Sequence, residues 1–229
     1  MCFSPTASFV ASAILIPMGL YCVLESLKKN RRYFFLALLP LLFGIQQIFE
    51  GFLWLVIRNG DDQRISFFSL LFLFFAFGFW PFYCPLINYS IEDKGTTKSK
   101  LLLVLLIGGT ILGMLIYVPL VLGSTSFTTE VVNRSIAYET DRGDLLRNVY
   151  TLSYFVVTVV PFAISSNKDL RIFGMMLVGS IILTFAFYSY AFFSVWCFFA
   201  ALISAYILYV IWNIDDREHC RAEEQTAGR

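Results

Sequence analysis

Charged residues and histidine are scarce in this chain. Only 14% of its 229 residues are Asp, Glu, Lys or Arg, and the one histidine, His219, lies close to the C-terminus. Soluble domains carry about 25% charged residues, so the composition excludes an ordinary soluble protein. The formal net charge of +1 gives no strong field to attract nucleic acid, and we expect no nucleic-acid partner.

Several catalytic and cofactor motifs are also missing. No lysine lies inside an apolar segment, so a retinal Schiff base has no attachment point. The five cysteines form no C-x-x-C pair, which argues against a zinc site. No P-loop, dinucleotide fingerprint or G-x-S-x-G sequence occurs. These absences disfavour an enzyme, predict no metal site and leave any cofactor unknown.

Long apolar runs fill most of the chain instead, and hydrophobic residues make up 58% of it. A membrane-spanning helix needs about 20 apolar residues. We predict spanning helices over residues 5–27, 33–57, 66–89, 101–122, 148–165, 171–188 and 191–213. The predicted fold is all-α, an integral membrane bundle of seven transmembrane helices over residues 1–214. A short polar cytoplasmic tail follows over residues 215–229.

The boundary between the last two predicted helices rests on length. No charged residue occurs in residues 172–214, and a straight helix over that stretch would be about 65 Å long. This is more than twice the hydrocarbon thickness of about 30 Å. The chain must therefore turn, and Tyr188-Ser189-Tyr190 is the best position for the turn.

The loop charges predict an orientation. An N-terminus outside the cell places twelve of the 17 Lys and Arg residues on the cytoplasmic side and the other five outside. The positive-inside rule favours this arrangement, with the C-terminus in the cytoplasm.

Two regions depart from regular spans. Pro81 and Pro85 lie four residues apart in the third predicted helix and indicate a bend near its inner end. The longest polar stretch, Gly123 to Asn148, is mixed in charge and begins with Ser124-Thr125-Ser126. Its composition predicts a flexible outer segment.

One carboxylate, that of Glu50, lies well inside a predicted span. A charge in the hydrocarbon layer costs roughly 2.5–3.5 kcal/mol on insertion scales, so such a group is normally used or paired. Gln46 and Trp54 lie four residues to either side of Glu50 on the same helix face, and Gln47 lies beside them. This stripe is either a site for a proton, cation or ligand, or a structural hydrogen-bond node between helices.

The last predicted helix holds a second group of candidates. Ser194 and Cys197 are three residues apart, with Trp196 beside them, at a depth similar to that of Glu50. A reactive or ligand-binding role is one interpretation. The sequence favours the other, a packing seam, because a buried cysteine usually acts as a small apolar residue.

Cys2 is a third candidate. Removal of Met1 would leave an N-terminal cysteine, which could act as a nucleophile with its own amine as base or could simply cap the end of the bundle. We expect Cys2, Glu50, Trp54 and Cys197 to converge in the outer half of the bundle.

Five motifs stand out along the chain: Met1-Cys2-Phe3-Ser4, Ala7-Ser8-Phe9, the run from Pro40 to Gln47 with Glu50-Gly51 and Trp54, Trp80-Pro81, and the run from Ser194 to Ala200. Together they resemble a family of uncharacterised, mainly bacterial multi-helix membrane proteins. The resemblance covers the whole chain and passes through most of the candidate site residues. It implies a seven-helix protein in the bacterial inner membrane, with the lipid bilayer as its partner and with no assigned activity.

Three functional classes remain open. The first is a channel or transporter for protons, cations or a small solute, with Glu50 as the titrating or coordinating group. The second is a sensor that binds a lipid or small molecule in a closed pocket beside Glu50. The third is a membrane enzyme that uses Cys2 or Cys197. We rank transport first, since an ionisable group inside the membrane is functional by default.

Overall fold

The computed structural model describes residues 4–141 and 143–214, which fold mainly as helices. The elements in chain order are α1 (Pro5–Lys29), α2 (Phe34–Ala37), α3 (Leu39–Asn59), α4 (Asp62–Leu73), α5 (Trp80–Ile91), α6 (Thr97–Val121), β1 (Phe127–Val132), β2 (Ser135–Thr140), α7 (Asp144–Ile164), α8 (Lys168–Tyr188), α9 (Phe192–Ile203) and α10 (Tyr206–Trp212). Within the described ranges, six helical stretches are long and apolar enough to cross a membrane. This confirms an all-α protein suited to a bilayer. The predicted tail over 215–229 lies outside the described residues.

Helix ends follow local sequence signals. The Ser4 side chain accepts a hydrogen bond from the backbone N–H of Ala7 and caps α1, as Ser-Pro sequences favour. Gly60 ends α3 in the left-handed conformation, with a φ of 67°, which glycine adopts without the steric cost of a Cβ.

The last apolar stretch, Lys168–Trp212, is 45 residues long and contains a break. A short 3₁₀ turn over Ser189–Ala191 separates α8 from α9, at the position that the sequence predicts for a turn. Across this turn the Trp196 Nε1–H donates to Ser180 Oγ at 3.1 Å, and the Tyr206 hydroxyl donates to Asp169 Oδ1 at 3.2 Å. Both bonds require α9 and α10 to fold back along α8.

The third span contains an irregularity that the sequence did not predict. The helix widens into a π-helical turn over Phe74–Phe79, where the Trp80 N–H bonds to the Phe75 carbonyl five residues earlier. Pro81 has no N–H to offer to the preceding turn, and the hydrogen-bond ladder changes register just before the proline. Helix α5 remains helical through Pro85, and the bend near its inner end stays a prediction.

The outer segment is folded, contrary to the predicted flexibility. Strands β1 and β2 form an antiparallel hairpin, closed by a two-residue turn at Asn133 and Arg134, both with positive φ. Ile136 is fully buried and packs with Leu53 and Trp54 of α3, so apolar contacts hold the hairpin against the bundle.

The bundle has two ends. The hairpin face holds Ser4, the turn at Gly60 and the two strands. The basic face, at the opposite end, holds the turns at residues 30–33, 92–96 and 165–167. These turns are tied together, since Arg32 bonds to Asp93 at 2.7 Å and the Glu92 carboxylate accepts the N–H of Ser166 at 3.0 Å.

Two close helix contacts place the interior polar residues. Helix α1 lies along α3, and a Cβ added at Gly19 would overlap the backbone of Leu41. Helix α9 contacts both α1 and α3. Helix α6 approaches the third span equally closely, since a Cβ at Gly109 would overlap the carbonyl of Pro81. The first, second and last spans therefore meet where Glu50 lies.

Candidate functional site

Glu50 lies in the interior of the bundle with no exposed surface. It is carried by α3, whose buried face also includes Gln46, Gln47 and Trp54. The spacing of these residues brings them to one side of the helix, and α1 and α9 cover that side. We call Ser8, Gln46, Gln47, Glu50 and Ser194 the Glu50 node, because all five side chains are polar and fully buried.

Two hydrogen bonds tie the node to neighbouring helices. The Ser194 hydroxyl of α9 donates to Glu50 Oε1 at 2.5 Å. The indole N–H of Trp80, which follows the π-helical turn, donates to Gln46 Oε1 at 2.9 Å. A tryptophan N–H can only donate, so this bond fixes the orientation of the Gln46 amide and turns its NH₂ group the other way.

Much of the hydrogen-bonding capacity of this region is unused. Several fully buried polar atoms have no hydrogen-bond partner among residues 4–141 and 143–214. These atoms are Ser8 Oγ, Gln46 Nε2, Gln47 Nε2, Gln47 Oε1 and Glu50 Oε2, with Trp54 Nε1 one turn further along α3. The Ser8 and Gln47 side chains lie close enough to influence the Glu50 carboxyl. Each unsatisfied buried group costs about 1–3 kcal/mol, so such atoms normally meet water or a ligand.

The charge of Glu50 also lacks a partner within the described ranges. No Lys, Arg or His side chain there forms an ion pair with it. Nor do three or more His, Cys, Asp or Glu side chains of those ranges gather into a potential metal site. A buried charge is costly unless it is compensated, so a proton or a cationic group must neutralise this carboxylate.

Cys197 lies next to the node and Trp196 does not. The Cys197 thiol is buried and interacts with Gln46 and Glu50. The Trp196 indole points to the other side of α9 and bonds to Ser180 of α8. The structure therefore brings Glu50, Ser194 and Cys197 together, and it uses Trp196 for helix packing.

Trp54 lies between the node and the hairpin face. Its side chain is 6% exposed and packs against Leu53 and the hairpin residue Ile136. Trp54 therefore covers part of the node on the side of the hairpin. Cys2, the remaining candidate, lies outside the described residues.

Sequence reasoning missed two residues of this region. Ser8 belongs to the node, and its signal was the buried face that it shares with Ser12 and Gly19 along α1. Tyr154 is 1% exposed, and its hydroxyl has no hydrogen-bond partner within the described ranges. Nothing in the sequence distinguishes it from the other tyrosines of the spans.

Comparison with known proteins identifies a family that matches this chain. The model of a family described as a family of unknown function (DUF6629) matches residues 1–224. No curated protein and no solved structure matches the chain. Because the match covers nearly the whole sequence, this protein belongs to that family of unknown function.

Proposed function

We propose that the chain is a seven-span transport protein of a bacterial inner membrane, with the hairpin face outside. The hydrogen bonds that fold α9 and α10 back along α8 support two crossings within Lys168–Trp212. The excess of Lys and Arg in the predicted inner loops supports this orientation.

The transported species binds at the Glu50 node in this proposal. The observation that carries it is the enclosed Glu50 carboxyl, with one oxygen bonded to Ser194 and the other unpartnered within the described ranges. In a purely structural node, the polar side chains would form hydrogen bonds with residues of other helices. In the Glu50 node, several of these polar atoms stay available to a proton, water or solute.

The set of available atoms favours a polar solute over a bare metal cation. Two amide NH₂ groups, those of Gln46 and Gln47, have no hydrogen-bond partner within the described ranges and lie beside the oxygens of Glu50 and Ser8. A metal cation would meet these donors unfavourably, because Mg²⁺, Ca²⁺ and alkali ions bind oxygen atoms. A small solute with both donors and acceptors satisfies both kinds of atom, and a proton on Glu50 removes the charge.

The irregular third span also supports transport. Discontinuous helices commonly line the substrate sites of transporters, near the middle of the membrane. Here the π-helical turn over Phe74–Phe79 ends at Trp80, and Trp80 bonds directly to the node through Gln46.

Proton flux into reconstituted liposomes under an imposed pH gradient tests this function. We expect flux with the wild type, and a loss of at least about tenfold in Glu50→Gln, equivalent to about 1.4 kcal/mol in the barrier. The matched control is Glu25→Gln, since Glu25 pairs with Lys28 at the surface, at 2.8 Å. Equal flux in the wild type and both variants would contradict the proposal.

A ligand-binding sensor is the second candidate, favoured by the complete burial of Glu50. It predicts a folded protein without flux in any variant. It also predicts a small molecule that co-purifies with the wild type and is lost in Glu50→Gln, which mass spectrometry of the purified protein would detect.

A further inference from the structure

Two cavities are stacked between α7, α9 and the third span. The outer pocket, about 40 Å³, reaches the hairpin face and is lined by residues that include Phe77, Thr140, Arg147, Tyr150, Tyr154 and Phe193. The inner cavity, about 20 Å³, lies deeper and is lined by residues that include Phe43, Trp80, Cys84, Thr158, Trp196 and Cys197. Each has room for at least one water molecule.

The inner cavity adjoins the Glu50 node. Trp80, in its wall, bonds to Gln46, and Cys197, also in its wall, interacts with Gln46 and Glu50. A molecule in the inner cavity would therefore be one side chain away from the node.

Tyr154 separates the two cavities. Its ring lines the outer pocket and makes edge contacts with Phe193 and Trp196, at centroid distances of 5.9 and 5.7 Å. Trp196, which Tyr154 contacts, also lines the inner cavity. Tyr154 therefore lies between the outer pocket and a wall residue of the inner cavity, and its buried hydroxyl has no hydrogen-bond partner within residues 4–141 and 143–214.

The linings differ in charge. Among the described residues, Arg147 is the one charged side chain in the wall of the outer pocket. No charged side chain of these residues lines the inner cavity. An ion would lose its hydration there without compensation, so the inner cavity selects uncharged molecules.

We propose that the outer pocket and the inner cavity form the access path to the Glu50 node, with Tyr154 as its gate, for small uncharged molecules that carry a hydrogen-bonding group. This proposal rests on the proposed function. It adds the route by which the solute reaches the Glu50 node and the chemical class of that solute. Movement of one aromatic side chain would join the two spaces, while the Tyr154 hydroxyl offers the passing molecule a hydrogen bond.

Native Cys197 provides a probe for this path. In a variant that keeps Cys197 and carries alanine at the other four cysteines, purified protein is treated with methyl methanethiosulfonate, a small neutral thiol reagent. The thiolate displaces methanesulfinate and forms a mixed disulfide, so mass spectrometry gives the rate directly. Anionic and cationic methanethiosulfonates of similar size are tested in parallel.

We expect Tyr154→Ala to raise the neutral reagent's rate about tenfold, equivalent to about 1.4 kcal/mol in the barrier. Tyr154→Phe should react like the parent, because the ring remains. The reaction rate of Tyr154→Leu should lie between the rates of these two variants. This variant replaces Tyr154→Ala in the test if the alanine variant does not fold. Phe155→Ala is the matched control, since Phe155 also contacts Trp196, at 5.7 Å, but lines neither cavity.

The proposal is overturned if Tyr154→Ala and Tyr154→Leu react no faster than the parent, if Phe155→Ala accelerates the reaction equally, or if charged reagents react as fast as the neutral one. Labelling measures access of the reagent to Cys197 and does not measure flux. If Tyr154 proves not to be a gate, transport at Glu50 is not contradicted. If flux is absent, the access path is not contradicted.

Discussion

At the residue scale, the account depends on what the Glu50 carboxyl contacts. Its position in the sequence identifies it, because a lone carboxylate in an apolar span is costly. Its partner Ser194 could be placed at a similar depth by counting residues. The contact itself depends on how the spans pack, and Tyr154 carries no distinguishing sequence signal, so neither could be predicted.

Removal of the Ser194 hydroxyl tests the contact. In Ser194→Ala, Glu50 Oε1 loses its 2.5 Å hydrogen bond, and we expect the free energy of unfolding to fall by about 1–3 kcal/mol. The measurement is denaturant unfolding in detergent, followed by tryptophan fluorescence.

Ser204→Ala is the control for that experiment. Ser204 is equally buried, but its hydroxyl donates to the Ala201 carbonyl of α9, the helix that Ser204 itself ends. Alanine has the higher helix propensity, so we expect a change below about 0.5 kcal/mol. Equal losses in the two variants would show that Ser194 does not hold the carboxyl.

At the element scale, the sequence predicts the helices well and their irregularities poorly. The turn at Tyr188-Ser189-Tyr190 follows from the thickness of the bilayer, which limits the length of every spanning helix. The π-helical turn before Trp80 depends on how the chain compensates for Pro81, and the hairpin turn at Asn133-Arg134 lacks the glycine that usually marks such turns. Both features depend on how the helices and the hairpin pack together, which the local sequence does not specify.

The contact between α6 and the third span gives a prediction at this scale. In Gly109→Ala the new methyl would overlap the Pro81 carbonyl, so the helices must move apart, at a cost of about 1–3 kcal/mol. Thermal unfolding in detergent measures the loss of stability.

Gly108→Ala is its matched control. A Cβ at Gly108 meets no atom within 4 Å, and alanine favours the helix by about 1 kcal/mol over glycine. We expect Gly108→Ala to be at least as stable as the wild type. A Gly109→Ala protein as stable as Gly108→Ala would contradict the close approach of α6.

At the scale of the whole molecule, orientation can be tested directly. In a cysteine-free background, Ser126→Cys on the hairpin face should react with a membrane-impermeant maleimide in intact cells. Thr97→Cys on the basic face should react only after permeabilisation, since both positions are exposed but at opposite ends of the bundle. The reverse pattern would contradict the proposed orientation.

The central claim is that the Glu50 node is a ligand site and not only a link between helices. A crystal structure from a lipid phase, at a resolution that resolves ordered water, tests it most directly. We predict density for water or a small solute within hydrogen-bonding distance of Glu50 Oε2 and the Gln47 amide. A dry node, with Gln46, Gln47 and Glu50 fully bonded to other side chains, would contradict the account.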